Sequence, residues 1–402
     1  MSGPKAKVVI LGGGPAGVHL AQLLHKVANV TLVDRKNYYE INWATVRAHV
    51  QPDLADEIFI PYAGIPGIGT FVQAEVASVH ADCVLLDRAM TMNLSKTSFP
   101  IGRQSNDDRL PYDFLAICTG GSYPSTLHQA GVATSIADRK AGIQAGNRAL
   151  QNAGSVLIVG AGPAGVETAA EIAKAVPGKL VTLVGAHSSV LGNAQGTPPA
   201  LAQHVEWWLR KHGVKVILDE RADKVVDGAH ITDKGTNLHA DVVYTCSGSK
   251  PNTKFMEKEF AACLNEKRRI KVDSHLRVVG SASANIFAVG DCNDVPETKL
   301  GFLAREQAKV VATSIKTMLK QPQGVTIAPR LEVYVPYSGN PKVLIISLGR
   351  KHGAMHVGNV VVTHMLPRIK SKHLFIGHTR KQLGLDKREG MFACGRAPTV
   401  NE

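Results

Sequence analysis

The sequence predicts an α/β protein with two Rossmann-like dinucleotide-binding units and a small α+β C-terminal domain. Three observations carry that reading. A β-branched run, a glycine turn and a helix-spaced apolar segment occur twice, 148 residues apart. Each copy is followed by a further strand that ends in its own glycine turn. Past the turn-rich stretch Gln321-Pro322-Gln323-Gly324, which reads as a linker, two more strand-like runs follow.

Taken in order, residues 8–11 (Val-Val-Ile-Leu) form the first strand, Gly12-Gly13-Gly14-Pro15-Ala16-Gly17 the turn, and residues 18–24 an amphipathic helix. The strand 30–33 ends on Asp34 and completes a βαβ unit of dinucleotide-binding length. The second copy runs through the strand 156–159, Gly160-Ala161-Gly162-Pro163-Ala164-Gly165, a helix to Ile172 and the strand 180–184. Residues 112–118 lead to Thr119-Gly120 and close the first block; residues 241–246 lead to Ser247-Gly248 and close the second. A third strand, 285–289, ends at Gly290-Asp291-Cys292, and apolar residues at 303, 304, 308, 311, 312, 315 and 319 predict a helix behind it. Residues 342–347 and 360–363 read as strands of the C-terminal domain.

Composition excludes several classes. With 402 residues and 44% hydrophobic content the chain has room for two or three domains and is not a disordered protein. Its 6 cysteines never fall closer than 17 residues apart, so there is no CxxC redox pair, no zinc-ligand spacing and no disulfide framework, and the thiols read as reduced and intracellular. The 16 histidines form no HxxH or HExxH pattern, and no metal is predicted. No run approaches the length of a spanning helix, and the first residues run straight into a strand with no secretory or presequence signal. The net charge of +13 is uneven: from Arg330 onward 12 Lys and Arg face 4 Asp and Glu, a net +8. That asymmetry points to an anionic partner surface, acidic lipid or nucleic acid, or to a solvated basic face.

A GxGxxG loop holds a pyrophosphate because its first glycine permits the turn, its second lets the backbone approach the phosphates, and its third lets helix pack on strand; the helix N-terminus then offers free N–H groups. Asp34, ending the second strand, fits a ribose hydrogen bond. The second unit departs from this rule. Gly185-Ala186-His187 stands where an acid would select NAD, so the choice between NADH and NADPH stays open.

These features resemble the two-dinucleotide flavoprotein oxidoreductases. More narrowly, Val33-Asp34-Arg35-Lys36, the segment from Asn42 to Arg47-Ala48, Ser347-Leu348-Gly349-Arg350 and Lys370-Ser371-Lys372-His373-Leu374-Phe375 resemble the apoptosis-inducing-factor-homologous, ferroptosis-suppressor group, akin to type II NADH dehydrogenases. The resemblance implies FAD on the first unit and NADH or NADPH on the second. It implies an FAD-binding domain made of residues 1–127 and 253–324, interrupted by an NAD(P)H-binding domain at 128–252 and followed by an acceptor or membrane-interaction domain at 325–402. Gly12, Gly13, Gly14, Pro15, Ala16 and Gly17 would hold the FAD pyrophosphate, Asp34 its ribose, Arg47 its phosphates, Val76 the adenine and Asp291 the ribitol, with Lys36, Thr119 and Gly120 also binding the cofactor. Gly160, Gly162, Gly165 and Gly248 would hold the pyridine nucleotide. Ser2 precedes Gly3, which breaks the Met-Gly acylation motif of anchored relatives.

Hydride transfer between nicotinamide and flavin needs stacking and electronic tuning more than an acid. Without a dithiol, electrons leave the flavin to a small acceptor, and a quinone would also need protons. Glu167, in the first turn of the second helix, is the first candidate catalytic group, although a carboxylate there also gains about 0.3–1 kcal/mol from the helix dipole alone; Lys299 is the second. The resemblance puts Phe302, Lys370 and Phe375 at the quinone, against the alternatives of a core Phe302 and a solvated Lys370. Trp208 falls on the apolar face of its helix, and Trp207 lies off it. The leading expectation is an NAD(P)H:quinone oxidoreductase, cytoplasmic and peripheral to a membrane such as the mitochondrial outer surface or a lipid droplet, with a homodimer open. The alternatives are reduction of oxygen, monodehydroascorbate or a small redox protein, and a redox-switched flavin protein that binds lipid or nucleic acid.

Overall fold

A computed structural model describes residues 5–87, 108–123, 133–192, 196–222, 224–281, 284–321, 329–336, 343–363 and 367–385. The expected boundaries at 127/128 and 324/325, the linker residues Pro322, Gln323 and Gly324, and Cys394 lie outside them. The elements that build the site are, in chain order, β1 (Lys7–Leu11), α1 (Pro15–Leu24), β2 (Asn29–Asp34), α2 (Asn42–Ala48), β3 (Thr70–Gln73), β4 (Phe114–Ile117), β5 (Ser155–Val159), α3 (Pro163–Ala175), β6 (Leu180–Val184), α4 (Pro199–Lys211), β7 (Lys215–Ile217), β8 (Val242–Thr245), β9 (Ile286–Ala288), α5 (Gly301–Leu319), β10 (Val343–Leu348), β11 (His352–Val357), β12 (Val360–Val362), α6 (Pro367–His373) and α7 (Ile376–Gln382).

Two parallel sheets confirm the duplication. The first has the order β9-β4-β1-β2-β3 and the second β7-β6-β5-β8, so β4-β1-β2-β3 of one matches β8-β5-β6-β7 of the other. Parallel strands are covered on both faces, which is why β1 and β5 read as unbroken apolar runs. The fifth strand, β9, belongs to the first sheet alone, so the chain returns to its first unit after completing the second. In α5, Leu303, Ala304, Ala308, Val311, Ala312 and Ile315 are buried, and the helix packs on α1.

The C-terminal strands form an antiparallel sheet, β10-β11-β12. Its Ile346, Leu348 and Ala354 join one core with Val166, Ala169, Ala170 and Ile172 of α3. This sheet therefore shares its core with the second unit. The strand β11 was invisible to sequence reasoning because its His-Gly-Ala-Met start lacks β-branched residues.

His19 of α1 faces α5. Its Nδ1 accepts from Arg305 Nη2 at 3.4 Å and its Nε2 is buried without a partner among the described residues. Burial first, then the charges of Arg305 and Lys309, push its pKa from 6.5 down to about 4. The unfolded chain takes up this proton near pH 6.5 and the folded chain refuses it, so stability falls as pH drops from 6.5 towards 4. Urea unfolding across that window should show a shallower fall for His19→Gln than for the parent; equal slopes would assign the acid sensitivity to other groups.

Candidate functional site: two glycine loops joined at a carboxylate pair

The two glycine loops are built alike. Gly12 and Gly160 adopt φ of 96° and 113°, in the left-handed region that disfavours a side chain, and a Cβ on either would lie within 2.8 Å of the backbone at Cys118 or Cys246. Gly17 and Gly165 let helix meet strand: a Cβ there would come within 1.9 and 1.8 Å of the Gly12 and Gly160 carbonyl oxygens. Gly14 differs. It caps α1 in extended conformation, Pro15 follows as the first helical residue, and a Cβ on Gly14 would meet nothing among the described residues within 4 Å. An open cradle at the second glycine, walled by two that the fold itself requires, is the shape a pyrophosphate fills. Gly162 caps α3 in the same way, with Pro163 next.

In the first unit the Asp34 carboxylate, 8% exposed, accepts from Gly13 N at 2.7 Å, Lys36 N at 2.8 Å and Lys36 Nζ at 3.3 Å. Tyr62, which sequence reasoning missed, donates its hydroxyl to the Gly13 carbonyl at 2.8 Å and lies 3.2 Å from Asp34 Oδ2. Its hydroxyl would meet a Cβ on Gly13 at 2.1 Å, so Tyr62 explains that glycine. Val76 is half-buried two residues after Ala74, whose N–H donates to the Asp34 carbonyl. In the second unit Gly185 follows β6 where Asp34 ends β2. A Cβ on Gly185 would lie 2.5 Å from Ala161 Cβ, so Ala161 closes the space that Gly13 leaves open.

The strand ends meet between the sheets. Gly121–Ser122 pairs with Lys250–Pro251 as a short antiparallel ribbon just past Gly120 and Gly248, and Thr119 Oγ1 donates to the Asn252 carbonyl at 2.7 Å. Gly290 is held by Gln307 Oε1 at 2.7 Å, and a Cβ there would lie 3.2 Å from Ala304 Cβ and 3.9 Å from Ala16 Cβ. The returning strand end thus lies against the first loop. Burial pushes the Asp291 carboxyl up, opposed by Lys299 and Arg269.

Lys299 has another employment than the catalytic one expected of it. Its ammonium donates to Asn293 O at 3.1 Å, Asn293 Oδ1 at 3.2 Å and Val295 O at 2.9 Å, and burial pushes its pKa down. Those acceptors match the donor capacity of an ammonium, so Lys299 staples the loop after Asp291. Arg47 also has a partner other than phosphate. Its Nε and Nη2 donate to Glu171 Oε1 at 3.0 and 2.6 Å, with both side chains under 5% exposed. Burial pushes the Glu171 carboxyl up, and the Arg47 hydrogen bonds and charge pull it back.

One turn earlier on α3, and past the first turn in which the sequence reading expects it, Glu167 Oε1 accepts from Lys370 Nζ and from Ser347 N, each at 2.7 Å, and Lys370 Nζ also donates to the Ile345 carbonyl at 2.7 Å. Lys370 is therefore no member of a solvated basic run; its side chain is 13% exposed. Its α6 leads to Phe375, which is half-buried, while Phe302 at the start of α5 is 49% exposed rather than core. Between these segments stands Trp43, also missed in the sequence, whose Nε1 donates to the Leu374 carbonyl at 2.8 Å. Trp208 is core and Trp207 is exposed with Lys211 Nζ over its ring, so neither belongs to the site. The described cysteines are all free, and burial raises each thiol, Cys246 to about 12.

Comparison with known proteins agrees with this architecture. Residues 6–314 match the model of the pyridine nucleotide-disulphide oxidoreductase family, and the chain belongs to that family. It is 30% identical over 393 residues to human (Homo sapiens) ferroptosis suppressor protein 1, covering 94% of this chain and 95% of that one. Apoptosis-inducing factor homolog B of Dictyostelium discoideum is 26% identical over 410 residues, covering 96% and 99%. The fold is shared with NDH2 of Plasmodium falciparum in complex with NADH (TM-score 0.69, 15% identity, 96% of each chain) and with the sulfide:quinone oxidoreductase of Aquifex aeolicus (TM-score 0.72, 16% identity, 96% and 92%). The chain is an oxidoreductase dependent on FAD and NAD(P)H.

Two substitutions separate the nucleotide sites. Gly14→Val should fold, because no described residue lies within 4 Å of a Cβ there, and should lose most of its FAD; Gly162→Val should keep FAD and lose reduction by NAD(P)H. Flavin absorbance after gel filtration and anaerobic mixing with NADH read both, and exchanged phenotypes would mean the sites are swapped.

Installing an NAD-selecting acid requires room as well as charge. Gly185→Asp alone should weaken both nucleotides by pushing on Ala161, whereas Ala161→Gly with Gly185→Asp should shift the kcat/KM ratio towards NADH by about tenfold or more, one decade corresponding to about 1.4 kcal/mol. An unshifted ratio would place the discrimination elsewhere.

Proposed function

We propose that this oxidoreductase passes electrons from NAD(P)H to a quinone, at a site bounded by Phe302, Lys370 and Phe375. FAD, when bound, supplies the two-electron relay between the nicotinamide and the acceptor. The observation that carries the reading is the Lys370–Glu167 pair. Two of the three ammonium donors are committed, to Glu167 Oε1 and Ile345 O, and one remains without a partner among the described residues. A fixed ammonium donor beside an aromatic turn suits an acceptor whose oxygens gain negative charge and then protons. Glu167 holds that ammonium in place through its Oε1. No CxxC is present and burial raises the described thiols, which favours a diffusible acceptor over a dithiol relay.

Peripheral membrane attachment fits the same end of the chain. Lys372, His373 and Lys381 are exposed on α6 and α7, and no helix among the described residues is long and apolar enough to span a bilayer. Each basic residue near an acidic lipid surface contributes about 1 kcal/mol, so binding to anionic liposomes should fade with salt.

Multiple turnovers with ubiquinone or menadione after anaerobic NADH reduction test the activity itself. Lys370→Ala should raise the quinone KM several-fold at low and high salt alike, while flavin reduction by NADH stays near the parent rate in stopped flow. Equal slowing of both half-reactions would remove Lys370 from the acceptor site.

A further inference from the structure

We infer that Trp43 is a positioning residue of the acceptor site, holding the turn that carries Phe375 against the start of α5. The inference rests on the acceptor reading of Phe375 given above. Leu374 and Phe375 adopt φ of 48° and 52°, two consecutive non-glycine residues in the left-handed region. Such a turn persists only when its surroundings over-determine it. The surroundings here are specific: Leu374 N donates to the Lys370 carbonyl at 2.6 Å, Thr379 N and Oγ1 both donate to the Phe375 carbonyl at 2.9 Å, and the Leu374 carbonyl accepts the Trp43 indole N–H at 2.8 Å. Of these, only the Trp43 bond comes from outside the C-terminal helices, across 331 residues of sequence.

The indole is itself fixed. A Cβ on Gly301 would lie 3.3 Å from Trp43 Cζ3 and 3.5 Å from Pro15 Cγ, so Trp43 stands where the first glycine loop and the start of α5 come together, next to Phe302. Four residues on, and so on the same face of α2, Arg47 engages Glu171 of α3. One short helix thereby ties the Phe375 turn to the FAD-side loop through Trp43, and to the nucleotide helix through Arg47. The ring edge stands against the start of α5 at Gly301, one residue before Phe302, and the N–H bonds the turn that carries Phe375.

The test compares holoenzyme variants with ubiquinone analogues of increasing tail length and with ferricyanide as an acceptor that needs no pocket. Trp43→Phe keeps ring bulk and loses the donor; it should raise the quinone KM about three- to tenfold, the loss of one hydrogen bond, with FAD content, flavin reduction by NADH and ferricyanide turnover near parent values. Trp43→His, which restores a ring N–H, should recover part of the KM. A Phe375→Ala variant reports the site itself. If Phe375→Ala raises the quinone KM and Trp43→Phe does not, the positioning role is overturned and the acceptor reading stands. If neither moves it, the acceptor reading fails and takes this inference with it. If Trp43→Phe lowers ferricyanide and quinone turnover together, Trp43 is structural only and the inference is overturned.

Discussion

Two carboxylates one turn apart on α3, Glu167 and Glu171, are the constraint around which the protein is arranged. On an isolated helix such a like-charge pair costs a few tenths of a kcal/mol. Buried, each would cost several kcal/mol without a partner. Each has one, and each comes from a different part of the chain: Arg47 from the first unit reaches Glu171, and Lys370 from the C-terminal segment reaches Glu167. Removing one partner of such a buried pair typically costs about 3–5 kcal/mol, because the other charge is left behind. The three parts are thus keyed to one helix, and that helix begins at the second glycine loop.

This placement links structure to chemistry. The N-terminus of α3 presents its backbone N–H groups to the nucleotide loop, while its buried face holds the ammonium proposed to meet the acceptor. On the proposed reading, the nucleotide loop and the acceptor-side ammonium lie within two turns of one helix. The antiparallel ribbon between Gly121–Ser122 and Lys250–Pro251 and the return of β9 to the first sheet complete the closure.

Much of this was legible in the sequence because it rests on local necessity. Gly12, Gly17, Gly160 and Gly165 must be glycine for reasons of backbone approach, and the apolar periodicity of α5 follows from burial on one face. What could not be read depends on partners distant in sequence. The partner of Lys370, Glu167, lies 203 residues away and rules out the alternative of a solvated basic run; the contacts of Lys299 with Asn293 and Val295 and of Arg47 with Glu171 are likewise set by the fold and carry no sequence motif. Tyr62 carries no motif and Trp43 merely lies within a matched segment, and only the fold shows that one explains Gly13 and the other bonds Leu374. The closed space at Gly185 likewise depends on Ala161, a residue whose difference from Gly13 is a single methyl.

On the proposed reading, one bound FAD is the sole redox centre between NAD(P)H and a diffusible acceptor. Anaerobic titration of the purified holoenzyme with NADH is the test. One equivalent of NADH per flavin should complete the bleaching of the visible flavin band, with no change in free thiol content. Bleaching that requires two equivalents and releases new thiols would reveal a dithiol centre, and would contradict it.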